Sequence, residues 1–276
     1  MTDRPPEEIV EAERALRDRE ARVYDSGRSE WELAVHSRAI LDLLALREGE
    51  TVLDAGAGTG AHVPDYLAAG ANVIAADHSA ASLELARERV RPHGRERLRT
   101  VVADLRRLPL EDECADAAAC LGVLQHIPTH EFRVRALREI LRCLRPGGRL
   151  VTVTYRWLGH VKRRKEGWWS PELYRYAFTV REFVALLDEA GFERARAGGL
   201  LVLPSLSERL RVGPGLQGPA HLYSGGPAAR AVRPRPSRAA ALSWGSRPSS
   251  ALPLSRSPAV RSAWVSLSAT VTAATA

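Results

Sequence analysis

The sequence predicts an α/β fold in which a doubly wound, mostly parallel β-sheet carries helices on both faces. Strand-like and helical segments alternate between residues 51 and 192 at the spacing of strand–helix–strand units. The strand-like segments are apolar at consecutive positions, which is typical of parallel strands covered on both faces. Because crossovers between such strands are right-handed, the alternation predicts one doubly wound sheet.

Five parallel strands are expected in chain order. They are the start of TVLDAGAGTG (51–60), then NVIAAD (72–77), RTVVAD (99–104), ADAAACLG (115–122) and RLVTVTY (149–155). Helices are expected up to Gly70, over 79–90 with Ser79 as N-cap, over 129–145 and over 179–192. A sixth strand is predicted within 193–204.

One domain is predicted over residues 1–210. It begins with helices within residues 1–46, of which 7–24 is charge-rich and is expected to be a solvated helix lying over another part of the molecule. An aromatic and basic insert at about 156–178 interrupts the alternation.

Residues 211–276 differ in composition from the rest of the chain. They hold eight arginines but no Asp, Glu or Lys. The positive charge of this segment alone therefore exceeds the formal net charge of +7 of the whole chain. The basic balance therefore says nothing about what the folded part binds. We expect a low-complexity, mostly disordered basic tail, with 262–272 as a weak strand candidate. The alternatives are a frameshifted or degenerate end and a basic arm for acidic partners.

The cysteines bear on the compartment. Cys114, Cys120 and Cys143 are odd in number and widely spaced, which favours a reducing environment. The start of the chain is unlike a secretory signal, and no apolar run approaches the ~20 residues of a membrane span. A cytoplasmic protein is therefore expected. No Cys/His grouping has zinc spacing, so no metal is predicted.

The residues that carry chemistry follow the first three predicted strands. Asp54 ends the first and precedes the glycines of AGAGTG (55–60), where a ligand can approach the backbone amides. Asp77 ends the second, where a carboxylate can take both hydroxyls of a ribose. Asp104 ends the third. Three acids at one sheet edge predict a site for a nucleoside-type ligand, and strand-end capping is the alternative.

The charge of Asp54 distinguishes between two ligand classes. It would repel the pyrophosphate of a dinucleotide and attract an ammonium or sulfonium group. It therefore disfavours an NAD-dependent oxidoreductase, for which the sequence also lacks a recognisable set of catalytic residues.

The chain resembles the class I S-adenosylmethionine-dependent methyltransferases, of the small-molecule, type 11-like kind. The motifs are VLDAGAGTGAHV, VIAADHS, VVADLRRLPL, CLGVLQHIP and LREILRCLRPGGRLVTVTY. The resemblance covers roughly residues 35–195 and implies a Rossmann-like sheet and S-adenosylmethionine as cofactor. It also implies a seventh, antiparallel strand beside the fifth, for which only 262–272 is available.

The resemblance assigns the methionine part of the cofactor to the first strand end. Gly56, Gly58 and Gly60 would pass under it, and Asp54 would hold its amino group directly or through water.

The same resemblance assigns the nucleoside part and the sulfonium end. Asp77 and His78 would lie at the ribose, and Asp104 with Leu105 at the adenine edge. The segment that includes Cys120 and Leu121 would close the pocket near the sulfonium, although the Cys120 side chain is expected in the core.

The expected function is methyl transfer to an O, N or C nucleophile of a small molecule. A tRNA or rRNA methyltransferase and an inactive S-adenosylmethionine-binding protein are the alternatives. His126 is the candidate base or substrate contact, unless it only fixes its loop. Tyr24 and Tyr155 either face the methyl donor or are packed aromatics. The insert is a substrate lid, a structural element or an RNA contact. The acceptor, the methylated atom and the oligomeric state are not predicted.

Overall fold

The computed structural model describes residues 4–26, 30–155, 165–168, 170–202, 222–223 and 264–272. The helices are α1 (Pro6–Glu20), α2 (Glu30–Leu44), α3 (Val63–Ala68), α4 (Ala80–Arg89), α5 (His130–Cys143) and α6 (Val180–Ala190). The strands are β1 (Thr51–Ala55), β2 (Asn72–Asp77), β3 (Leu98–Val102), β4 (Ala115–Leu121), β5 (Leu144–Tyr155), β6 (Glu166–Trp168), β7 (Tyr174–Tyr176), β8 (Glu193–Val202), β9 (Leu222–Tyr223) and β10 (Trp264–Thr272).

The main sheet has the strand order β3-β2-β1-β4-β5-β10-β8-β9. The first five strands in this order are parallel neighbours, whereas β10 is antiparallel to both β5 and β8. This confirms the predicted doubly wound α/β sheet. The order reverses between β1 and β4, and the crevice at such a switch point is where open parallel sheets bind ligands.

The two faces of the sheet carry separate apolar layers. Along β4, Ala118 and Cys120 pack toward α5 and α6, whereas Ala117 and Ala119 pack toward α2, α3 and α4. Successive side chains of a strand point to opposite faces, so a strand buried on both sides has no polar alternation. This explains why β4 reads as a continuous apolar run.

Side-chain caps fix two of the helices. The Ser79 hydroxyl accepts a hydrogen bond from the Ser82 amide, so the predicted N-cap of α4 is confirmed. At α6, Thr179 and Glu182 form a capping box, and Gly191 ends the helix in the left-handed conformation with φ 101°.

The C-terminal part of the chain requires a correction. Residues 264–272, within the segment 211–276 expected to be a disordered tail, form β10 and pair with β5 from Ser266↔Tyr155 to Thr272↔Arg149. The segment alternates apolar Val265, Leu267 and Ala269 with hydroxyl side chains, a pattern that suits a strand. β10 coincides with the weak strand candidate at 262–272 and takes the antiparallel position beside β5 that the resemblance implies. The expectation of disorder for the rest of the segment is not tested, because the structure does not describe residues 203–221, 224–263 and 273–276.

Part of the insert forms a second, two-stranded sheet from β6 and β7. The Tyr176 amide donates to the Gln125 carbonyl and the Phe178 amide to the Tyr155 carbonyl, so this hairpin is joined to the segments that follow β4 and β5. Residues 156–164 of the insert lie outside the described residues.

No helix in the described part of the chain is long and apolar enough to cross a membrane.

Candidate functional site

A cavity of about 530 Å³ lies at the carboxyl ends of the parallel strands. Its walls come from the segments that follow β1 to β5, from α1 and α2, and from β7. The volume is within the range of small-molecule sites, about 300–1,000 Å³. The predicted residues on its wall are Tyr24, Asp54, Gly56, Gly58, Asp77, His78, Asp104, Leu105, Leu121, His126 and Tyr155.

The glycines after β1 have different roles. All three have positive φ, but a Cβ at Gly56 would lie 2.2 Å from Val123 Cγ2 and a Cβ at Gly60 would lie 2.5 Å from Ala86 Cβ. Gly58 has open space at this position and lies on the cavity wall. Gly60 is not among the lining residues, and its missing side chain allows close packing against Ala86 of α4. Its place under a ligand stays a prediction.

Four backbone amides of this turn donate hydrogen bonds within the protein. The Gly56 and Ala57 amides donate to the Ala76 carbonyl, and the Gly60 amide donates to the Ala57 carbonyl. The Gly58 amide donates to Asp77 Oδ2 at 2.8 Å. Helix α3 begins only at Val63. The expectation that the backbone amides of the glycine turn face a ligand is therefore corrected for these four amides.

Asp77 is held rigidly at the end of β2. Its Oδ2 accepts from the Gly58 amide and its Oδ1 accepts from the Ser79 amide at 2.9 Å. Each carboxylate oxygen retains a second lone pair, so the group can still accept two hydroxyl hydrogens from a ligand. His78 lies beside it on the cavity wall.

Asp54 is a buried carboxylate at the end of β1. It is 3% exposed, and within the described residues no donor is hydrogen-bonded to it. Burial, together with the charge of Asp77, raises the pKa of Asp54 to about 7. A buried carboxylate without a donor is unfavourable, and a cationic group in the cavity would offset that cost.

Asp104 is engaged by a neighbouring arginine. Its Oδ1 accepts from the Arg106 amide at 2.8 Å, and its Oδ2 accepts from the Arg106 guanidinium at 2.8 and 2.6 Å. Although burial acts to raise it, these hydrogen bonds hold the pKa of Asp104 below its ordinary value. Leu105 is buried beside them, and both residues lie on the cavity wall.

The segment after β4 divides between core and cavity. Leu121 and Gly122 line the cavity, but the Cys120 side chain is fully buried in the layer under α5 and α6. Burial raises the pKa of this thiol to about 12. This confirms the expectation that the Cys120 side chain lies in the core, since Cys120 and Leu121 point to opposite faces of the strand.

His126 is fixed as a neutral imidazole. Its Nδ1 lies 3.0 Å from the Tyr174 carbonyl oxygen, and because that oxygen only accepts, Nδ1 carries the hydrogen. Burial and the charges of Arg17 and Arg175 place its pKa well below the ordinary value. The Nε2 lone pair can therefore accept a hydrogen bond, and its neighbour is the Gln125 side-chain nitrogen at 3.5 Å.

Helix α1 supplies two charged residues that sequence reasoning missed. Glu13 is 5% exposed, and its Oε1 accepts from Arg17 Nε at 2.8 Å and Nη2 at 2.6 Å. Burial raises the pKa of Glu13 despite this ion pair. A sequence signal for Glu13 was present. It lies on the same face of α1 as the apolar Ile9 and Leu16, and an acid on the apolar face of a helix is a candidate for a buried functional group.

The other side of the cavity carries aromatic and basic groups. The Arg175 guanidinium on β7 lies 5.1 Å from the ring centroid of Tyr155, which ends β5. Tyr24 lies near Arg17, whose guanidinium is 4.9 Å from its ring centroid. Both tyrosines line the cavity. Within the described residues no group of His, Cys, Asp or Glu could hold a metal ion.

Comparison with known proteins agrees with this arrangement. Residues 53–152 match the family described as "Methyltransferase domain". The chain is 34% identical to a demethylmenaquinone methyltransferase of Beutenbergia cavernae over 153 residues, covering 55% of this chain and 57% of the relative. It is 33% identical to methyltransferase GfsG of Streptomyces halstedii over 179 residues, covering 62% and 61%. The matching region thus spans less than two thirds of either relative.

A solved structure extends the likeness in fold. The Burkholderia thailandensis 1,6-didemethyltoxoflavin-N1-methyltransferase, with bound 1,6-didemethyltoxoflavin and S-adenosylhomocysteine, aligns with a TM-score of 0.58 at 20% identity. The alignment covers 99% of this chain and 92% of that one. This structural likeness shows the fold alone. With the strand order, the glycine turn and the acids that end β1 and β2, the family match and the curated relatives support a class I S-adenosylmethionine-dependent methyltransferase.

Proposed function

We propose that this protein transfers the methyl group of S-adenosylmethionine to an O, N or C nucleophile of a small molecule. The observation that carries the proposal is the burial of the Asp54 carboxylate on the cavity wall. A cationic group of a ligand would stabilise its ionised form. The curated relatives named as methyltransferases support it, and so does a cavity of small-molecule size.

The residues present fit the methionine part of this cofactor. Its amino group is a cation that would donate to Asp54, which has no donor within the described part of the chain. Gly58 would leave room above the turn, because no atom lies within 4 Å of the place where a Cβ would stand. The Asp54 carboxylate disfavours a pyrophosphate at this place, because the two anionic groups would repel each other.

The residues at β2 and β3 fit the nucleoside part. Asp77 would accept the ribose hydroxyls, since its orientation is fixed by two amides. His78 and Leu105 would flank the sugar and the base. Asp104 would approach the adenine edge while remaining paired with Arg106.

The bound cofactor would supply an electrophilic methyl group on a sulfonium. The protein's own task is then to place the acceptor and to exclude water, because the leaving group needs no proton. His126 is the group we assign to the acceptor: its Nε2 would accept a hydrogen bond from the nucleophile, or the proton itself where the nucleophile must lose one. The backbone carbonyl of Tyr174 orients the ring for this role.

Calorimetry with S-adenosylhomocysteine tests the proposal without knowledge of the acceptor. We expect micromolar binding by the wild type and a loss of about 100-fold or more in Asp77→Ala, with NADH not bound. Asp42→Ala is the matched control, because this acid lies on α2 in an exposed ion pair with Arg38. A folded wild type that does not bind S-adenosylhomocysteine would contradict the proposal.

The acceptor class has a separate test. Radiolabelled methyl transfer should appear with small-molecule fractions, whereas a tRNA or rRNA acceptor would show binding that weakens steeply with salt. We also infer a cytoplasmic location, supported by the burial of Cys120 and Cys143 as thiols among apolar side chains.

A further inference from the structure

The cavity has a side that the proposed cofactor contacts do not use. Those contacts come from the ends of β1, β2 and β3, whereas Tyr155 ends β5 and His126 follows β4. In the sheet, β5 is separated from β1 by β4, so its end lies about 10 Å from the end of β1. The wall formed by Tyr155, His126 and Arg175, which we term the acceptor wall, is therefore available to a second molecule.

The acceptor wall is positively charged. Arg17 and Arg175 line the same cavity as Glu13 and His126, and Glu13 Oε1 lies 3.6 Å from His126 Nδ1. Glu13 is the carboxylate of this cluster within the described residues, and Arg17 binds it through both Nε and Nη2. His126 is neutral. With one carboxylate and two guanidinium groups, the described cluster has a net charge of +1.

The positions of the two arginines differ. Arg17 is occupied by Glu13 and lies near Asp77, on the cofactor side. Arg175 lies against the Tyr155 ring on a hairpin that the Tyr176 amide joins to the loop of His126. A guanidinium carries five N–H donors in a planar fork, which suits a carboxylate or another planar anion.

We propose that the methyl acceptor carries an anionic group, of the carboxylate type, that Arg175 binds at the acceptor wall. This inference rests on the proposed function, because it assigns the remaining half of the same cavity. Arg175 would then determine acceptor specificity together with His126, and neutral analogues of the acceptor should bind more weakly than the acceptor itself.

Two isosteric probes test the charge preference directly. Benzoate and benzamide have the same shape, and only benzoate is anionic. In the complex with S-adenosylhomocysteine, we expect calorimetry to show benzoate binding at least about tenfold more tightly than benzamide, the effect of one charge-assisted contact. In Arg175→Met and Arg175→Gln the preference should fall to within about twofold, and Arg175→Lys should retain part of it.

Arg38→Met is the matched control, because it removes an exposed arginine on α2 that does not line the cavity. S-adenosylhomocysteine affinity, measured first, separates the two hypotheses: its absence in the folded wild type defeats the proposed function. With that affinity intact, equal or undetectable binding of both probes overturns the inference. So does a preference that survives in both neutral variants. A selective loss of S-adenosylhomocysteine binding in those variants would assign Arg175 to the cofactor instead.

Discussion

At Asp54, burial and the charge of Asp77 act in the same direction. Both disfavour the ionised carboxylate, so its pKa is about 7 without a ligand. A bound ammonium would favour the ionised form and lower that pKa. Ligand binding therefore releases a proton wherever Asp54 is protonated beforehand, which is the case at and below neutral pH.

We expect S-adenosylhomocysteine affinity to fall about tenfold per pH unit below about pH 7 and to level off above it. Calorimetry in two buffers of different ionisation enthalpy measures the proton release. Asp54→Asn should bind more weakly and without this pH dependence. 5′-Methylthioadenosine, which lacks the aminocarboxypropyl group and therefore the aliphatic ammonium, is the ligand control. An equally steep pH dependence for both ligands would show that another group titrates.

The same shift has a consequence for stability. An acid whose pKa is raised by folding destabilises the folded state above its unfolded pKa, so Asp54 costs stability as pH rises from about 4 to 7. We expect Asp54→Asn without ligand to melt several degrees higher than the wild type at pH 8, with the difference vanishing near pH 4. Thermal unfolding followed by circular dichroism checks this, and a variant less stable than the wild type at pH 8 would contradict it.

The pH dependence of stability at His126 has the opposite sign to that at Asp54. Burial and two nearby arginines lower its pKa, so its neutral form contributes stability that is lost as pH falls below about 6.5, the unfolded value. We expect ¹⁵N NMR of the imidazole to show the neutral Nδ1–H tautomer at pH 6. A doubly protonated ring at that pH would contradict the assignment of Nε2 as an acceptor.

Among the elements, α1 joins the segments that surround the cavity. Asp18 accepts from the Ser79 hydroxyl at 2.7 Å at the start of α4, and Glu7 accepts from Arg106 at 2.9 and 2.7 Å beyond β3. Just past the helix, Asp25 accepts from Thr59 in the glycine turn at 2.6 Å. Because Val10, Glu13 and Arg17 of α1 line the cavity, we expect α1 to lie over a bound ligand and the contacts that hold α1 to influence its release.

We expect Asp18→Ala to accelerate S-adenosylhomocysteine dissociation about three- to tenfold, because the variant removes a part-buried hydrogen bond between α1 and α4. Stopped-flow displacement measures the rate. Glu8→Gln, at an exposed position of the same helix, is the control and should leave the rate unchanged. Equal rates in wild type and Asp18→Ala would show that α1 does not limit release.

The strands and strand ends of the site can be predicted from the sequence, whereas the roles of α1 and of the β6–β7 hairpin cannot. Strands buried on both faces are predicted because their apolar runs are local, and Asp54 and Asp77 are placed because the ends of parallel strands share an edge. The cavity role of α1 depends on Glu13 meeting His126 across the fold, which no local pattern encodes. Arg175 likewise reaches the cavity only because the hairpin of β6 and β7 folds back onto the segment after β4. Gly60 and Gly58 look alike in sequence, and only packing against Ala86 separates them.

At the scale of the whole molecule, the sheet is completed by a strand far away in sequence. β10 lies between β5 and β8 and pairs with both, so it joins β8 to the parallel part of the sheet. Its contacts close long loops, which makes them costly in chain entropy and late to form. The cofactor strands β1, β2 and β3 lie at the opposite end of the strand order.

Removal of residues 264–276 should therefore lower the stability of the fold without abolishing S-adenosylhomocysteine binding. We expect the shortened chain to unfold at a temperature lower by about 10 °C or more, since the edges of β5 and β8 lose their partners and become prone to association. S-adenosylhomocysteine should still bind to the fraction that remains folded, because β1, β2 and β3, which end at the proposed cofactor contacts, lie at the other end of the strand order. Removal of residues 273–276 alone is the control and should leave the unfolding temperature unchanged. Hydrogen exchange gives the decisive reading: amides of 264–272 in the full chain should be protected as strongly as those of β5, whereas rapid exchange there would exclude β10 from the folded sheet.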